Sequence, residues 1–338
     1  MLFNFKIKAL IIKAMYAWGG VKSVIKDIKT PKIRLNRDTI LISPEVWKLF
    51  NPQQYHKYNN SYDIIKANLS SIHYIDYDKV IAYIGNLSER KLSLLSDRFI
   101  WLQIPSHGYN EYDRKLLYKN DNICVTCVKD VFSEPIAQYC ITAYYLFNTY
   151  SFRPKENKSN RIKSVPDNVR VMIFGLGNIG MALAKKCISI GWTVIGVKRN
   201  ISKTDIPGIE AIYKFSDALL HLNEVDYVVN LLPESKETTE IFNLDFFSKM
   251  NSDALFCNVG RKSAVVDKDI SVAVKNHVIR GAILDAHNEY NYGTPDIILT
   301  GHSSSVSPEN DERFDKYYTA QLSAFINGQE LQNRIPLR

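Results

Sequence analysis

The run Val169-Arg-Val-Met-Ile-Phe-Gly-Leu-Gly-Asn-Ile-Gly180 constrains the chain more tightly than any other stretch. Four apolar residues, Val171, Met172, Ile173 and Phe174, lead into Gly175. Gly175, Gly177 and Gly180 then spell G-x-G-x-x-G, and Met181, Leu183, Ala184, Cys187 and Ile188 supply an apolar helical face. A second strand-like run, residues 193–197, follows Gly191. Strand, tight turn, helix and strand within about 30 residues is the setting in which this glycine pattern holds a dinucleotide. Gly175 permits the turn, Gly177 lets the backbone approach a pyrophosphate, and Gly180 lets helix and strand pack closely. Asn178 and Ile179 open the helix, whose free N–H groups and positive dipole end face the phosphates.

The end of the second strand discriminates between cofactors. A carboxylate there would accept the ribose 2′-OH of NAD. Counting 18 positions on from Gly180 reaches Lys198, followed by Arg199 and Asn200, with no acid. Two cations suit a 2′-phosphate, so NADP(H) is expected in preference to NAD(H). The plainer alternative is that both are solvated charges and NAD is held more weakly.

Strand-like and helix-like runs alternate on either side of this motif. Before it come strands at residues 39–42, 80–84, 99–104 and 123–128, helices starting at 44–49 and 89–95, and one long apolar helix over 133–150. A polar loop, 154–166, precedes the glycine-rich strand. After it come strands at 227–232, 254–258, 279–284 and 297–299, a helix that includes 246–249, and a closing helix over 316–328. The alternation predicts an α/β chain with doubly wound parallel sheets, Rossmann-like or flavodoxin-like. Ligands in such sheets bind outside the carboxyl ends of the strands, where Pro233, Arg261, Asp285 and His302 fall.

The 338 residues suffice for two domains, and 46% hydrophobic with 23% charged residues is a globular composition. No apolar run is long enough to span a membrane. Lys13 interrupts the apolar N-terminus and no small-residue cleavage site follows, so cytoplasmic residence is expected. The net charge is +8, and residues 1–37 carry nine Lys or Arg against one acid, Asp27. The remainder is balanced, which argues against a nucleic-acid surface. Ile7, Ile11, Ala14, Trp18, Val21, Ile25 and Ile28 form a helical stripe in that basic segment. It suits either an arm packed on its own subunit or a dimer mate, or peripheral contact with an anionic membrane through residues 1–30; the arm is the simpler reading. Five cysteines are an odd number for a disulfide framework. Cys124 and Cys127 are three apart on a strand and so point to opposite faces, and no metal site is expected.

Taken together, Phe174-Gly-Leu-Gly-Asn-Ile-Gly180, Leu231-Leu-Pro233 with Thr238 five residues on, Asn258-Val-Gly-Arg261, Leu284-Asp285 and Leu299-Thr-Gly-His302 resemble the D-2-hydroxyacid dehydrogenase family. The likeness is to its NADPH-preferring, glyoxylate/hydroxypyruvate-reductase-like branch, and runs from about Thr39 to the end. It implies a substrate domain of residues 39–140 plus 306–338, a dinucleotide-binding domain of 141–305, an N-terminal extension of 1–38, and a homodimer. It also implies that Ser106, His107 and Gly108 receive a substrate carboxylate, and that Leu232, Pro233, Thr238, Asn258 and Asp285 line the cofactor. Reduction of a 2-oxo acid needs a hydride, which a nicotinamide supplies, a cation for the carboxylate, suited to the Arg261 fork, and a proton donor, suited to the His302 imidazole.

The chain departs from the family pattern at three points. The catalytic Glu is expected five residues after Asp285, before a Pro; here those positions hold Tyr290 and Asn291, with Glu289 one residue early. Glu289 either reaches His302 across an irregular loop, as a third catalytic residue, or is a surface charge. His302 follows Glu289 by only 13 positions, with His287 in the altered loop. Lys262 and Gly301 replace a Gly after the Arg and a Pro before the His. A reductase is therefore the leading expectation. A catalytically weak nucleotide-binding sensor or scaffold is the alternative.

Overall fold

A computed structural model describes residues 35, 37–52, 62–69, 77–87, 95–106, 123–149, 167–201 and 207–335. The basic stripe of residues 7–28, residues 89–94 of the expected short helix and the loop 154–166 lie outside them.

The strands form two parallel sheets. The first contains β1 (Thr39–Ile42), β2 (Asp63–Lys66), β3 (Val80–Ile84), β4 (Trp101–Ile104) and β5 (Cys124–Cys127), in the order β2-β1-β3-β4-β5. This is the flavodoxin-like order. The second contains β6 (Arg170–Phe174), β7 (Thr193–Val197), β8 (Ile209–Tyr213), β9 (Tyr227–Asn230), β10 (Leu255–Asn258), β11 (Gly281–Leu284) and β12 (Ile297–Leu299). Its order, β12-β11-β10-β9-β6-β7-β8, is that of a dinucleotide-binding sheet with one added strand. The expected fold class is therefore present in both halves.

Burial explains why the strands read as continuous apolar runs. Nearly every residue of β1, β3, β4, β9, β10 and β11 is buried, as in parallel sheets covered on both faces. Cys127 packs in the cluster on one face of the first sheet and Cys124 against the cluster on the other, as their spacing requires. Burial raises the thiol pKa of Cys124, Cys127 and Cys140, and takes Cys187 up to about 12, so these cysteines serve as small apolar residues.

The helices differ from expectation mainly at their ends. After α1 (Pro44–Trp47), which is a single turn, the long apolar helix is α2 (Ser133–Asn148). α3 (Asn178–Ser189) follows the glycine-rich turn, and α4 (Phe215–Ala218) and α5 (Leu244–Ser248) are short. The sequence reading missed α6 (Asp267–Lys275), together with strands β2 and β8. The closing helix, α7 (Asn310–Ile326), begins six residues before its expected start at 316. Asp311 and Glu312 occupy its first turn, where the helix dipole favours acids. No described helix is long and apolar enough to cross a membrane.

α7 folds back onto the first sheet through a buried polar network. Gln103 Oε1 accepts from Thr126 Oγ1 at 2.7 Å, Gln321 Nε2 at 3.1 Å and Tyr317 Oη at 3.2 Å. Trp101 Nε1 donates to Thr126 Oγ1 at 2.9 Å, and Gln321 Nε2 also donates to Gln332 O at 2.9 Å. The tail then pairs with β5, with Ile335 N donating to Val125 O at 2.8 Å. A fully satisfied buried network rigidifies, but removing its hub strands several donors. We expect Gln103→Leu to lower stability by about 2–3 kcal/mol in urea unfolding. An unchanged midpoint would show that α7 is held by its apolar face alone.

A candidate active site at the strand ends

The glycine-rich turn sits at the carboxyl end of β6, between β7 and β9, where the strand order reverses. Gly175 has φ +106°, a left-handed conformation that favours glycine. A Cβ there would lie 3.2 Å from the Leu231 backbone. At Gly180 a Cβ would lie 2.1 Å from Gly175 O, so the first turn of α3 packs on the loop only because Gly180 has no side chain. Gly177 differs from both. It is the N-cap of α3, and a Cβ there would meet nothing within 4 Å. That open space beside a helix N-terminus fits the close approach of a pyrophosphate. Asn178 Nδ2 donates to Asp130 Oδ1 at 2.5 Å, and Ile179 packs against the core.

The neighbouring strand ends are held by buried polar side chains. Asn230, the last residue of β9, donates from Nδ2 to Asn258 Oδ1 at 2.8 Å and accepts from Leu232 N at 2.9 Å. That contact ends the strand before the expected 232. Asn258, the last residue of β10, also accepts from Gly260 N at 3.2 Å, and donates to Ala286 O at 2.6 Å and Arg261 O at 3.2 Å. Its backbone C=O receives Asp285 N and Ala286 N. Asn258 is thus fully buried with its amide taken up, and its side chain ties three strand ends together.

Asp285 is only 2% exposed and takes Thr300 Oγ1 at 2.6 Å, Ser303 N at 2.8 Å and Ser304 N at 3.0 Å. Three of its roughly four lone-pair directions are filled by the turn after β12, so its main partner is that turn. Arg261, half-buried, follows β10 and donates from Nη1 to Gly260 O at 2.8 Å. His302 follows β12, is exposed, and has φ +52°. β11 lies between those two strands. Strand spacing puts their ends roughly 10 Å apart, room for a small acid.

Glu289, expected either to reach His302 or to be a surface charge, is exposed. Its loop is anchored on another element. Asn288 Nδ2 and Tyr292 Oη both bond the carboxylate of Asp267, at 2.6 and 2.5 Å, while Ser271 Oγ holds Tyr292 O at 2.7 Å. The loop is pinned on the first turn of α6, with Glu289 and Tyr290 exposed at its tip. His287 instead turns inward, with Nδ1 2.9 Å from Asn288 O and Nε2 3.1 Å from Thr300 O.

Lys198 and Arg199 lie just beyond β7, as expected from the count, and Pro233 O accepts from Thr238 Oγ1 at 2.7 Å beyond β9. Leu232 is half-buried at the same edge. Ser106 lies beyond β4, with its carbonyl receiving Val128 N; His107 and Gly108 lie outside the described residues. No group of three potential metal ligands occurs among the described residues. Sequence reasoning missed Asn230, Thr300 and Tyr139. Their roles come from strand register and loop path, for which the sequence carries no local signal.

Residues 147–306 match the family model for the NAD binding domain of D-isomer specific 2-hydroxyacid dehydrogenases. The chain is 30% identical over 169 residues to glyoxylate/hydroxypyruvate reductase B of Klebsiella pneumoniae, covering 48% of this chain and 52% of that protein. It is 27% identical over 217 residues to D-lactate dehydrogenase of Streptococcus pyogenes, covering 61% and 64%. These matches span about half to two thirds of the relatives' lengths. Among solved structures, a glyoxylate reductase from Paecilomyes thermophila superposes with a TM-score of 0.70 at 17% identity, over 89% of this chain and 99% of that one. A glyoxylate/hydroxypyruvate reductase from Sinorhizobium meliloti, in complex with NADP and malonate, gives 0.66 at 20% identity, over 89% and 98%. At these identities the structural likeness is one of fold.

The two glycines can be separated experimentally. Gly180→Ala is expected to lower the melting temperature sharply, because its Cβ meets backbone oxygen at 2.1 Å. Gly177→Ala, with nothing within 4 Å, is expected to melt within a few degrees of wild type. Equal losses would show that Gly177 is structural too.

Proposed function

We propose, from the match of its nucleotide-binding half, that this chain belongs to the D-isomer specific 2-hydroxyacid dehydrogenase family and reduces a small 2-oxo acid to a D-2-hydroxy acid with NAD(P)H. The observation that carries this reading is the glycine cradle: a left-handed Gly175, open space at Gly177 and the N-terminus of α3, beside strand ends bearing Arg261 and His302. Those residues fit a dinucleotide, and the bound nicotinamide would supply the hydride.

The chain's own residues do the rest. Arg261 forks onto the substrate carboxylate and polarises the ketone. His302 donates the proton to the carbonyl oxygen as negative charge develops there. The first sheet with α7 forms the substrate-facing domain, and the amides near Ser106 hold the carboxylate from that side. Lys198 and Arg199 favour NADPH over NADH by pairing with the 2′-phosphate. The relatives' names support a 2-oxo acid substrate, and the family habit supports a homodimer.

Wild-type protein is expected to oxidise NADPH with at least one of glyoxylate, hydroxypyruvate or pyruvate. His302→Ala should lower kcat by about 10²–10⁴-fold. Replacing both Lys198 and Arg199 with Ala should reduce the NADPH preference about ten- to a hundredfold, since a charge-assisted bond contributes about 1.5–3 kcal/mol. NADPH binding without turnover on any 2-oxo acid would overturn the reductase reading and favour a nucleotide sensor.

A further inference from the structure

Asp130 lies just beyond β5, where the chain leaves the first sheet and enters α2. Its carboxylate is gripped from two directions. Asn178 Nδ2, on the first residue of α3, donates to Oδ1 at 2.5 Å, and Asn333 Nδ2, on the tail that pairs with β5, donates to Oδ2 at 3.2 Å. One acidic side chain thus joins the glycine-rich turn of the second sheet to the closing segment of the first.

The surroundings fix it there. Ser133 N donates to Asp130 O at 3.2 Å as α2 begins, and Cys127 N donates to Asn333 O at 3.3 Å. Asn333 has φ +57°, a left-handed conformation that asparagine adopts more readily than most residues. α2 is itself seated on the second half of the molecule. Glu134 pairs with Lys186 of α3 at 2.7 Å, and Tyr139 Oη lies 2.7 Å from Thr300 Oγ1. The frame that presents Asp130 to α3 is therefore held on both sides.

The place is an unfavourable one for an acid in a dinucleotide-binding protein. The N-terminus of α3 and the open space at Gly177 are where the proposed reading seats the pyrophosphate. The Asp130 carboxylate stands one asparagine side chain away from that helix end. The two amides that hold it are neutral, so they fix the carboxylate without cancelling its charge. The helix dipole favours either anion alone, but two like charges this close oppose each other.

We propose that Asp130 sets how tightly the dinucleotide is held: latched to Asn178, its charge opposes the pyrophosphate at the α3 N-terminus and speeds release of the spent cofactor. This rests on the dinucleotide reading of the glycine-rich turn. On that reading Lys198 and Arg199 attract one end of the nucleotide while Asp130 weakens the hold on its middle, so the cofactor is selected without being retained.

The test compares wild type, Asp130→Asn and Asp130→Glu as full chains, titrated by calorimetry with NADPH and with NADH at low salt and at about 1 M salt. Asp130→Asn keeps the shape and loses the charge. It should lower Kd for both nucleotides by the same factor, about three- to tenfold at low salt, because both carry the same pyrophosphate. Asp130 and Asn178 are exposed, so the factor should shrink toward one at high salt, where the screening length falls to about 3 Å. Asp130→Glu retains the charge and should not tighten binding. Stopped-flow displacement of NADPH should show the gain in Asp130→Asn mainly as slower release.

A Kd in Asp130→Asn equal to or weaker than wild type would overturn the proposal. So would equal tightening in Asp130→Glu, or tightening confined to NADPH. A purely structural latch would lower the melting temperature of Asp130→Asn without tightening either nucleotide, and that result also overturns it. If Asp130→Asn does not fold, Asp130→Ser is read by the same measurements. If wild type binds neither nucleotide, the dinucleotide reading fails and takes the proposal with it; if wild type binds and Asp130→Asn binds no tighter, the proposal alone falls.

Discussion

Parallel strands end by leaving backbone groups without ladder partners, and in this chain three buried side chains take over at that edge. Asn230, Asn258 and Asp285 stand at the ends of three adjacent strands. Between them they satisfy the amides of Leu232, Gly260, Ser303 and Ser304 and the carbonyls of Arg261 and Ala286. An unpaired buried polar group costs about 1–3 kcal/mol, so these loops have little freedom to depart differently. Arg261 leaves from one such point and His302 from another. The geometry of the site is thus a consequence of how the sheet's edge is closed.

The glycine-rich turn works by the same logic with the opposite means. Gly180 removes a side chain so that the helix can sit on Gly175 O, and Gly175 takes a backbone conformation that bulkier residues avoid. Gly177 removes a side chain that would meet nothing in the protein. On the proposed reading that space is left for a ligand, which would separate Gly177 from the two architectural glycines.

Much of this was legible beforehand because it is local. The strand–turn–helix–strand period, the count from Gly180 to Lys198 and the opposed faces of Cys124 and Cys127 all follow from chain geometry. The missed elements have physical reasons. β2 and β8 are edge strands, so their four or five residues lack the fully apolar stretch of central strands. α6 was readable in principle, from Asp267 and Asp269 in its first turn and the spacing of Ile270, Ala273 and Val274, but no side chain caps its start. The Asn230–Asn258 pair was out of reach, since only strand register brings residues 28 apart in sequence together. The path of the loop that carries Glu289 was out of reach for a related reason: it is decided by Asp267, a residue on another element that grips Asn288 and Tyr292.

The central claim is that the open space at Gly177 is meant for a dinucleotide, and equilibrium binding tests it most directly. NADPH and NADH would be titrated by calorimetry into wild type and Gly177→Val, with thermal melts of both proteins alongside. The account predicts that both nucleotides bind wild type, NADPH more tightly, and that the Val variant melts like wild type but binds neither. Undiminished binding by a stably folded Val variant, or no binding by wild type, would contradict it.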